Sequence, residues 1–316
     1  MADSLRRAVR RPQWFPGQTV MPIRGPRIRQ HATHEQLIGH AKHDPAAADD
    51  CPALDAIVVP ASRPAHNLDH AITLARAVES HLVILCSHAT HPADVNKLLD
   101  QRSFSDATVI EIRTGYSHEF FAFETTEWIK KLPAVCAVRD SDLSVKRNVG
   151  LVLARMLGWR RIFFMDDDIR DLDGAMLRST VSLLSGDNHY HSAGMSADKF
   201  PDNSVVCHAR RAIGEFQGVF VSGSALAVDC TVLLSFFPDI YNEDWLFFYG
   251  DAVDGRLGHP GHFSTQLKYD PFADPQRAAG QEFGDVIAEG LYAFLEEGQS
   301  ADQATVEDWK QFLADR

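Results

Sequence analysis

Three adjacent carboxylates follow a short apolar segment in the middle of the chain. Residues Ile162 to Met165 are apolar and run directly into Asp166, Asp167 and Asp168. An apolar run of this length is typical of a buried strand, and carboxylates crowded at its end repel one another. Oxygen-rich clusters of this kind suit Mg²⁺ or Mn²⁺, so the triplet predicts a metal site. The alternative is an acidic first turn of a helix, stabilised by the helix dipole.

A basic segment precedes the triplet by one predicted helix. The sequence "DSDLSVKRNVGLVLARMLG" predicts an amphipathic helix whose apolar stripe runs from Val145 to Met156 and which ends at Gly158. Lys146 and Arg147 lie in its first turns, where basic side chains would meet a diphosphate whose metal is held one strand later. A solvated basic face is the alternative interpretation.

The order of predicted elements indicates which side of the fold these residues share. Strands predicted at "AIVV", "LVILCS" and "ATVIEI" alternate with the helices "AHNLDHAITLARAVES" and "HPADVNKLLDQR". This alternation is typical of an α/β protein with a mainly parallel sheet covered by helices on both faces. Open sheets of this kind bind ligands outside the carboxyl ends of their strands. Further along, "SVVCHA" and "GVFVSGSALAVD" predict strands, and helices are predicted near 276–297 and 302–315.

These segments together resemble one enzyme family. "KRNVGLVLARMLGWRRIFFMDDD" resembles the R-N-x-G, apolar strand and D-x-D pattern of GT-A-fold glycosyltransferases, especially those like family 2. "AIVVPASRP" takes the place of their first strand and its Pro-containing loop, and the similarity extends over residues 54–250. The resemblance implies a Rossmann-like GT-A fold, a UDP- or GDP-sugar donor, Mn²⁺ or Mg²⁺, and transfer of the sugar to a nucleophile.

The resemblance also implies roles for individual residues. Asp168 would bind the metal and Asp166 would support metal and donor. Asp167 is grouped with the donor-binding residues, but its exact role stays open and it could simply cap the next helix. The remaining implied donor-binding residues are Pro60, Ala61, Ser62, Arg63, Asp140, Lys146, Arg147 and Asn148.

The acceptor side is implied by "VSGSALAVD" and "YNEDW". Asp244, with Glu243 beside it, matches the position of the catalytic base of inverting members, where a carboxylate removes the acceptor proton. Gly223, Ser224 and Trp245 would line the acceptor site. Many GT-A enzymes use a late histidine as a metal ligand, which makes His259 and His262 candidates. In that case Asp244 would only bind the acceptor and the enzyme could retain stereochemistry, although inversion is favoured.

Composition limits the other classes of protein. The 316-residue chain has 45% hydrophobic residues and a net charge of −12, whereas residues 1–30 carry seven arginines against Asp3 alone. The acidic main body disfavours nucleic-acid binding, and an arginine-rich arm would suit an anionic partner. The absence of a long apolar segment, a secretory signal or paired cysteines predicts a cytoplasmic protein without a transmembrane helix.

We expect a flexible arm and linker over 1–50 and a catalytic domain over 51–275, divided near 168 into nucleotide and acceptor halves. C-terminal helices over 276–316 would pack on this domain. The Q-x-x-R-W signature of processive family-2 enzymes is absent, so transfer of a single sugar is expected. Two alternatives remain open: a haloacid-dehalogenase-type phosphatase, which also uses paired acids at a strand end, and a non-catalytic GT-A-like scaffold.

Overall fold

The computed structural model describes residues 34–40, 52–132, 141–185, 189–198, 205–214, 220–232, 235–267 and 270–316. The strands in these ranges are β1 (Gly39–His40), β2 (Ala56–Ala61), β3 (His81–Cys86), β4 (Ala107–Glu111), β5 (Arg161–Met165), β6 (Ile169–Arg170), β7 (Ser192–Gly194), β8 (Ser196–Asp198), β9 (Ala225–Asp229), β10 (Leu257–His259) and β11 (Phe263–Gln266). The helices are α1 (Asp69–Ala77), α2 (Pro92–Gln101), α3 (Glu124–Ile129), α4 (Leu143–Leu157), α5 (Gly174–Ser182), α6 (Val205–Ala212), α7 (Glu243–Phe247), α8 (Tyr249–Val253), α9 (Pro275–Glu296) and α10 (Val306–Asp315).

Across the described residues, the main sheet has the strand order β1-β10-β7-β9-β5-β2-β3-β4. Strands β2, β3, β4 and β5 run parallel, and β1, β10 and β7 run parallel to one another. Strand β9 is antiparallel to both of its neighbours, β5 and β7. The mainly parallel α/β architecture is therefore confirmed, and its carboxyl ends meet at one edge together with the beginning of β9.

A small second sheet continues from that edge. Its order is β6-β11-β8, with β11 antiparallel to β6 and parallel to β8. Each of its strands follows shortly after a main-sheet strand along the chain: β6 after β5, β8 after β7 and β11 after β10. The acidic triplet occupies the turn between β5 and β6, so both sheets fix its position.

Helix α4 packs against the main sheet through a different face from the one predicted. Its buried residues include Arg147, Gly150, Leu151 and Ala154, whereas Met156 of the predicted apolar stripe is 78% exposed. A Cβ on Gly150 would lie 2.9 Å from Val58 Cγ1, so glycine lets the helix approach strand β2 closely. The polar residues of the first turns are thereby brought under the carboxyl edge of the sheet. The predicted C-terminal Gly158 is confirmed, in the left-handed conformation at φ 70°.

Two predicted elements differ from the structure. The described residues of "SVVCHA" belong to helix α6 and not to a strand, and Val205 and Val206 are only half-buried on this helix. β-branched residues favour strands only where a pleated surface is available to pack them. Of "GVFVSGSALAVD", the described part forms a strand only from Ala225.

The expected N-terminal arm is interrupted by a segment that belongs to the fold. Strand β1 pairs with β10, and His34 is fully buried beside Trp245 and Tyr292, with ring centroids 4.0 and 4.3 Å away. An arm extending unbroken over 1–50 is therefore wrong for residues 34–40, because core packing of His34 and sheet pairing hold them. The arginines of residues 1–30 lie outside the described residues.

The C-terminal helices occur as predicted. Helix α9 begins with Asp274 as its N-cap, and α10 has a capping box between Thr305 and Asp308. Tyr292 of α9 donates from Oη to the Trp245 carbonyl at 2.9 Å, so α9 supports the segment that carries Glu243 and Asp244. No helix in the described ranges is long and apolar enough to cross a membrane.

Candidate active site

The antiparallel strand β9 brings the glycine-containing segment to the acidic triplet. Because β9 begins where β5 ends, Ser224 lies beside Asp166, whose backbone N–H donates to the Ser224 carbonyl at 2.9 Å. Gly223 then lies beside helix α7, where its N–H donates to Asp244 Oδ2 at 2.7 Å. The acidic triplet after β5 and the Glu243–Asp244 pair at the start of α7 are far apart in the sequence, and Gly223 and Ser224 bring them close together.

Asp167 fastens the loop that follows strand β2. Its Oδ2 accepts from the backbone N–H groups of Ser62 and Arg63, both at 2.8 Å, and its Oδ1 accepts from the Arg63 guanidinium. The side chain is 2% exposed. The middle acid of the triplet therefore organises the expected donor loop, a role that the sequence left open.

Asp168 is held by two side chains from different parts of the chain. Arg63 Nη2 donates to Asp168 Oδ2 at 2.8 Å, and Gln266 Nε2 lies 3.2 Å from the same oxygen. Sequence reasoning missed Gln266. The position has no distinguishing motif, and only the pairing of β11 with β6 places it beside the triplet.

Arg147 joins the two acidic segments. Its Nη2 donates to Asp166 Oδ1 and Oδ2 at 3.0 and 3.2 Å, and its Nη1 donates to Glu243 Oε1 at 2.8 Å. The Arg147 side chain is 2% exposed and that of Glu243 is 5% exposed. The interpretation of a solvated basic face is therefore wrong. Direct approach of Arg147 to a diphosphate would have to compete with these bonds, because both terminal nitrogens are already bonded to carboxylates.

Asp244 lies half-buried in a cradle of backbone N–H groups. Besides the Gly223 N–H, its Oδ1 accepts from the Trp245 N–H at 2.9 Å. Burial, reinforced by repulsion from Glu243, raises the pKa of Asp244, while Arg147 and the two N–H groups act in the opposite direction. A raised carboxyl pKa is suited to proton acceptance near neutral pH. A Cβ on Gly223 would lie 2.5 Å from the Asp244 Cβ, so this approach requires glycine.

The described site contains more negative than positive charge. Arg63 and Arg147 face five carboxylates: Asp166, Asp167, Asp168, Glu243 and Asp244. Burial, partly offset by Arg147, raises the pKa of Asp166 to about 7, and repulsion from Asp168 adds to the rise. Burial also raises the pKa of Asp168 against the effect of Arg63. A divalent cation bound here would lower the pKa values of both Asp166 and Asp168.

The donor set fits a cation that takes part of its coordination from a substrate. Among the described residues there is no cluster of three or more His, Cys, Asp or Glu suited to hold a metal. Mg²⁺ is commonly bound through one or two carboxylates together with substrate phosphates and water, so such a cluster is not required. The oxygens of Asp166 and Asp168 at the sheet edge provide this smaller set.

Other expected donor contacts are occupied by internal bonds. Lys146 is buried, with Nζ 2.8 Å from the Ala61 carbonyl and 3.0 Å from Asp142. The side-chain amide of Asn148 donates from Nδ2 to the Phe237 carbonyl and accepts at Oδ1 from the Phe237 N–H, both at 2.8 Å. These two residues brace the site from behind, and their expected donor contact is contradicted. Pro60 and Ala61 are buried within β2, so the donor loop begins at Ser62. Asp140 lies outside the described residues.

The two histidines expected as candidate metal ligands lie in different local surroundings. His259 is buried, its Nδ1 accepts from the Gly261 N–H at 3.0 Å, and its Nε2 lies 3.2 Å from Ser196 Oγ. His262 precedes β11 and lies four residues from Gln266, roughly 13 Å along an extended strand. Metal binding by His259 and His262 stays a prediction.

The expected acceptor residues also differ in their surroundings. Trp245 is 3% exposed and packs on His34, so the residue belongs to the core and does not line an acceptor site. Phe247 and Phe248, which follow it in the chain, are likewise buried. Ser224 is 3% exposed and its Oγ lies 2.8 Å from Ser222 Oγ. Gly223 and Ser224 lie beside the acids, whereas acceptor binding by them stays a prediction.

Comparison with known proteins identifies the architecture. The sequence matches no protein-family model and no curated protein. Two solved structures of glucosyl-3-phosphoglycerate synthase from Mycobacterium tuberculosis each match with a TM-score of 0.50 at 15% identity over 80% of this chain, covering 86% and 87% of theirs. The first of them is a complex with Mn²⁺, UDP and phosphoglyceric acid, and the second contains Mn²⁺, UDP and glucosyl-3-phosphoglycerate. The expected fold is thereby confirmed: this chain has the GT-A-like fold of nucleotide-sugar glycosyltransferases.

Proposed function

We propose that this protein is a metal-dependent glycosyltransferase that moves one sugar from a nucleoside-diphosphate sugar to a soluble acceptor. The observation that carries the proposal is the meeting of Asp166, Asp168 and Asp244 at the carboxyl edge of a GT-A-like sheet. The structurally similar synthase binds Mn²⁺ and UDP, which makes this chemistry the first to test.

Asp166 and Asp168 are the residues that would hold the cation. When bound, Mn²⁺ or Mg²⁺ would neutralise charge on the departing diphosphate. Arg147 sets the orientation of the Asp166 carboxylate through its two bonds, and Gln266 does the same for Asp168. Because these partners come from helix α4 and strand β11, the spacing of the two acids is fixed by both halves of the fold.

The donor loop begins at Ser62. Asp167 anchors its backbone, and the Arg63 side chain is 43% exposed. A guanidinium pairs well with phosphate oxygens, so Arg63 replaces Arg147 and Lys146 in our assignment of the diphosphate contact. UDP- and GDP-sugars are both compatible with this loop.

Asp244 is the proposed base. Its carboxylate lies in a cradle of backbone N–H groups and has a raised pKa, and removal of the acceptor proton would strengthen attack on the anomeric carbon. Glu243, by contrast, is bonded to Arg147 and acts by positioning. Direct attack assisted by Asp244 would invert the anomeric centre. Proton NMR of the product distinguishes this outcome from retention, in which Asp244 would only bind the acceptor.

Ligand-dependent thermal stability tests the proposal. Melting temperatures are measured with UDP-, GDP- and dTDP-sugars, each with and without Mn²⁺, because a ligand that binds the folded state stabilises it. We expect one nucleotide sugar to stabilise the protein only when Mn²⁺ is present. Sugar transfer is then assayed with a panel of small hydroxyl acceptors that includes 3-phosphoglycerate, which the similar synthase binds.

Two other functions give different results in the same experiment. A non-catalytic scaffold would show no metal-dependent stabilisation by any nucleotide sugar. A phosphatase would release phosphate from simple esters without a nucleotide.

A further inference from the structure

The two acids expected to bind the cation have arginine partners of very different accessibility. Asp166 is paired with Arg147, whose side chain is 2% exposed and also bonds Glu243. Asp168 is paired with Arg63, whose side chain is 43% exposed. A buried arginine with two carboxylate partners cannot leave without exposing unpaired charge. Arg63 also bonds Asp167, but that carboxylate keeps the backbone N–H groups of Ser62 and Arg63 when the guanidinium leaves, and the Arg63 side chain already reaches solvent.

The backbone of Arg63 is fixed independently of its side chain. Its N–H donates to Asp167 Oδ2 at 2.8 Å, and its carbonyl accepts from Thr90 Oγ1. The guanidinium can therefore leave Asp168 by rotation about side-chain bonds while the loop stays in place. This rotation removes the charged partner of Asp168 Oδ2. The other side-chain partner of that oxygen, Gln266, is neutral and does not compete with a cation by charge.

We propose that Arg63 is an internal counter-ion that occupies Asp168 in the metal-free protein and competes with the divalent cation for it. This inference rests on the proposed function, because it takes Asp168 as a cation ligand. Once displaced, the guanidinium remains tethered beside the triplet and becomes available to the donor's diphosphate. Cation and nucleotide would then bind cooperatively, since each favours the released position of Arg63.

The first test measures Mn²⁺ binding alone. Free Mn²⁺ is titrated by electron paramagnetic resonance with the wild-type protein, Arg63→Met and Arg63→Lys, without nucleotide. Arg63→Met retains the length of the side chain but removes the competing charge, so we expect at least about tenfold tighter Mn²⁺ binding, as for loss of one charged hydrogen bond. Arg63→Lys retains the charge but loses the forked geometry, so an intermediate affinity is expected.

Arg170→Met is the matched control. Arg170 also lies beside the triplet, but it donates to the Asp167 and Ile169 carbonyls and to Asn67, not to a carboxylate. The Arg170→Met substitution removes the same charge at a similar place. A purely electrostatic effect would therefore change the Mn²⁺ affinity of both Met variants by the same amount. We expect a much smaller gain for Arg170→Met. Equal affinities for Arg63→Met and wild type, or weaker binding by Arg63→Met, would overturn the proposal.

A second Mn²⁺ titration is carried out in the presence of UDP, and a parallel one in the presence of GDP. In the wild-type protein UDP should strengthen Mn²⁺ binding, and in Arg63→Met most of that gain should disappear. The same gain in both proteins would refute the coupling. Tighter Mn²⁺ binding by Arg63→Met without any response to UDP or GDP would support the counter-ion exchange while refuting the proposed function. Nucleotide-dependent Mn²⁺ binding with no effect of Arg63→Met alone would refute the exchange and leave the function standing.

Discussion

Arg147 and Glu243 form a buried ion pair across the site, with Nη1 2.8 Å from Oε1 and both side chains at most 5% exposed. Through its other terminal nitrogen, Arg147 also holds Asp166. One guanidinium thus connects the acids that follow β5 with those at the start of α7. The basic residue of the sequence motif acts as the internal support of the site.

Removal of one partner from this pair should destabilise the fold. We expect Glu243→Gln and Arg147→Met to lower the free energy of unfolding, the latter by about 3–5 kcal/mol, because it leaves buried carboxylates without their counter-ion. Urea denaturation with a double-mutant cycle measures the coupling. Arg102→Met removes an exposed pair with Asp69 and serves as the control, with no measurable loss expected. Additive effects in the cycle would contradict the pairing.

Substitution of the metal and base candidates should separate their roles. We expect Asp168→Ala and Asp244→Asn each to lower sugar transfer by at least about a thousandfold, the scale of lost electrostatic stabilisation or base catalysis. Only Asp168→Ala should also lose Mn²⁺-dependent nucleotide binding, measured by calorimetry. Full transfer by either variant would remove that residue from the mechanism.

Gly223 should not tolerate a side chain. The alanine Cβ would lie 2.5 Å from the Asp244 Cβ and 3.0 Å from Arg147 Nη1. We expect Gly223→Ala to cost about 1–3 kcal/mol of stability through overpacking and to reduce transfer by displacing Asp244. Gly250→Ala is the matched control, because no atom lies within 4 Å of its added methyl group. Wild-type stability and transfer in Gly223→Ala would show that the cradle can relax.

His34 should make the protein acid-sensitive. Burial, reinforced by His259, lowers the pKa of His34 to about 3, and its Nδ1 accepts from the Val221 N–H at 3.1 Å. The unfolded chain binds this proton below about pH 6.5, whereas the folded protein does not until about pH 3. Stability should therefore fall as pH decreases through this window, by up to about 1.4 kcal/mol per pH unit from this group.

Urea unfolding of wild type and His34→Gln across pH 7 to 3.5 measures this contribution. The glutamine carbonyl can accept a hydrogen bond but does not titrate, so the stability difference between the two proteins should narrow as the pH falls. A difference that stays constant with pH would show that His34 is not buried in its neutral form.

Local patterns in the sequence determined much of the scaffold. The apolar runs of β2, β3 and β5 are buried strands, Gly158 ends α4, and the alternation of strands with helices produced a mainly parallel sheet. These features depend on neighbouring residues and on the periodicity of side chains, which are directly visible in a sequence. The place of Asp166–Asp168 at the carboxyl edge followed from the same alternation.

Tertiary structure decided what each polar residue does there. From the sequence, Lys146 and Arg147 are expected to contact a diphosphate, because a sequence contains no information about distant partners. In the structure both are buried, and they bond the Ala61 carbonyl, Asp166 and Glu243. Asp167 received its role from the N–H groups of Ser62 and Arg63, and Gln266 reached Asp168 only through strand register. Ion pairing and burial depend on contacts between residues 19 to 105 positions apart. The sequence by itself therefore determined where the acids lie along the fold, whereas only tertiary packing decided which charges are buried supports of the site and which, like that of Arg63, stay partly exposed.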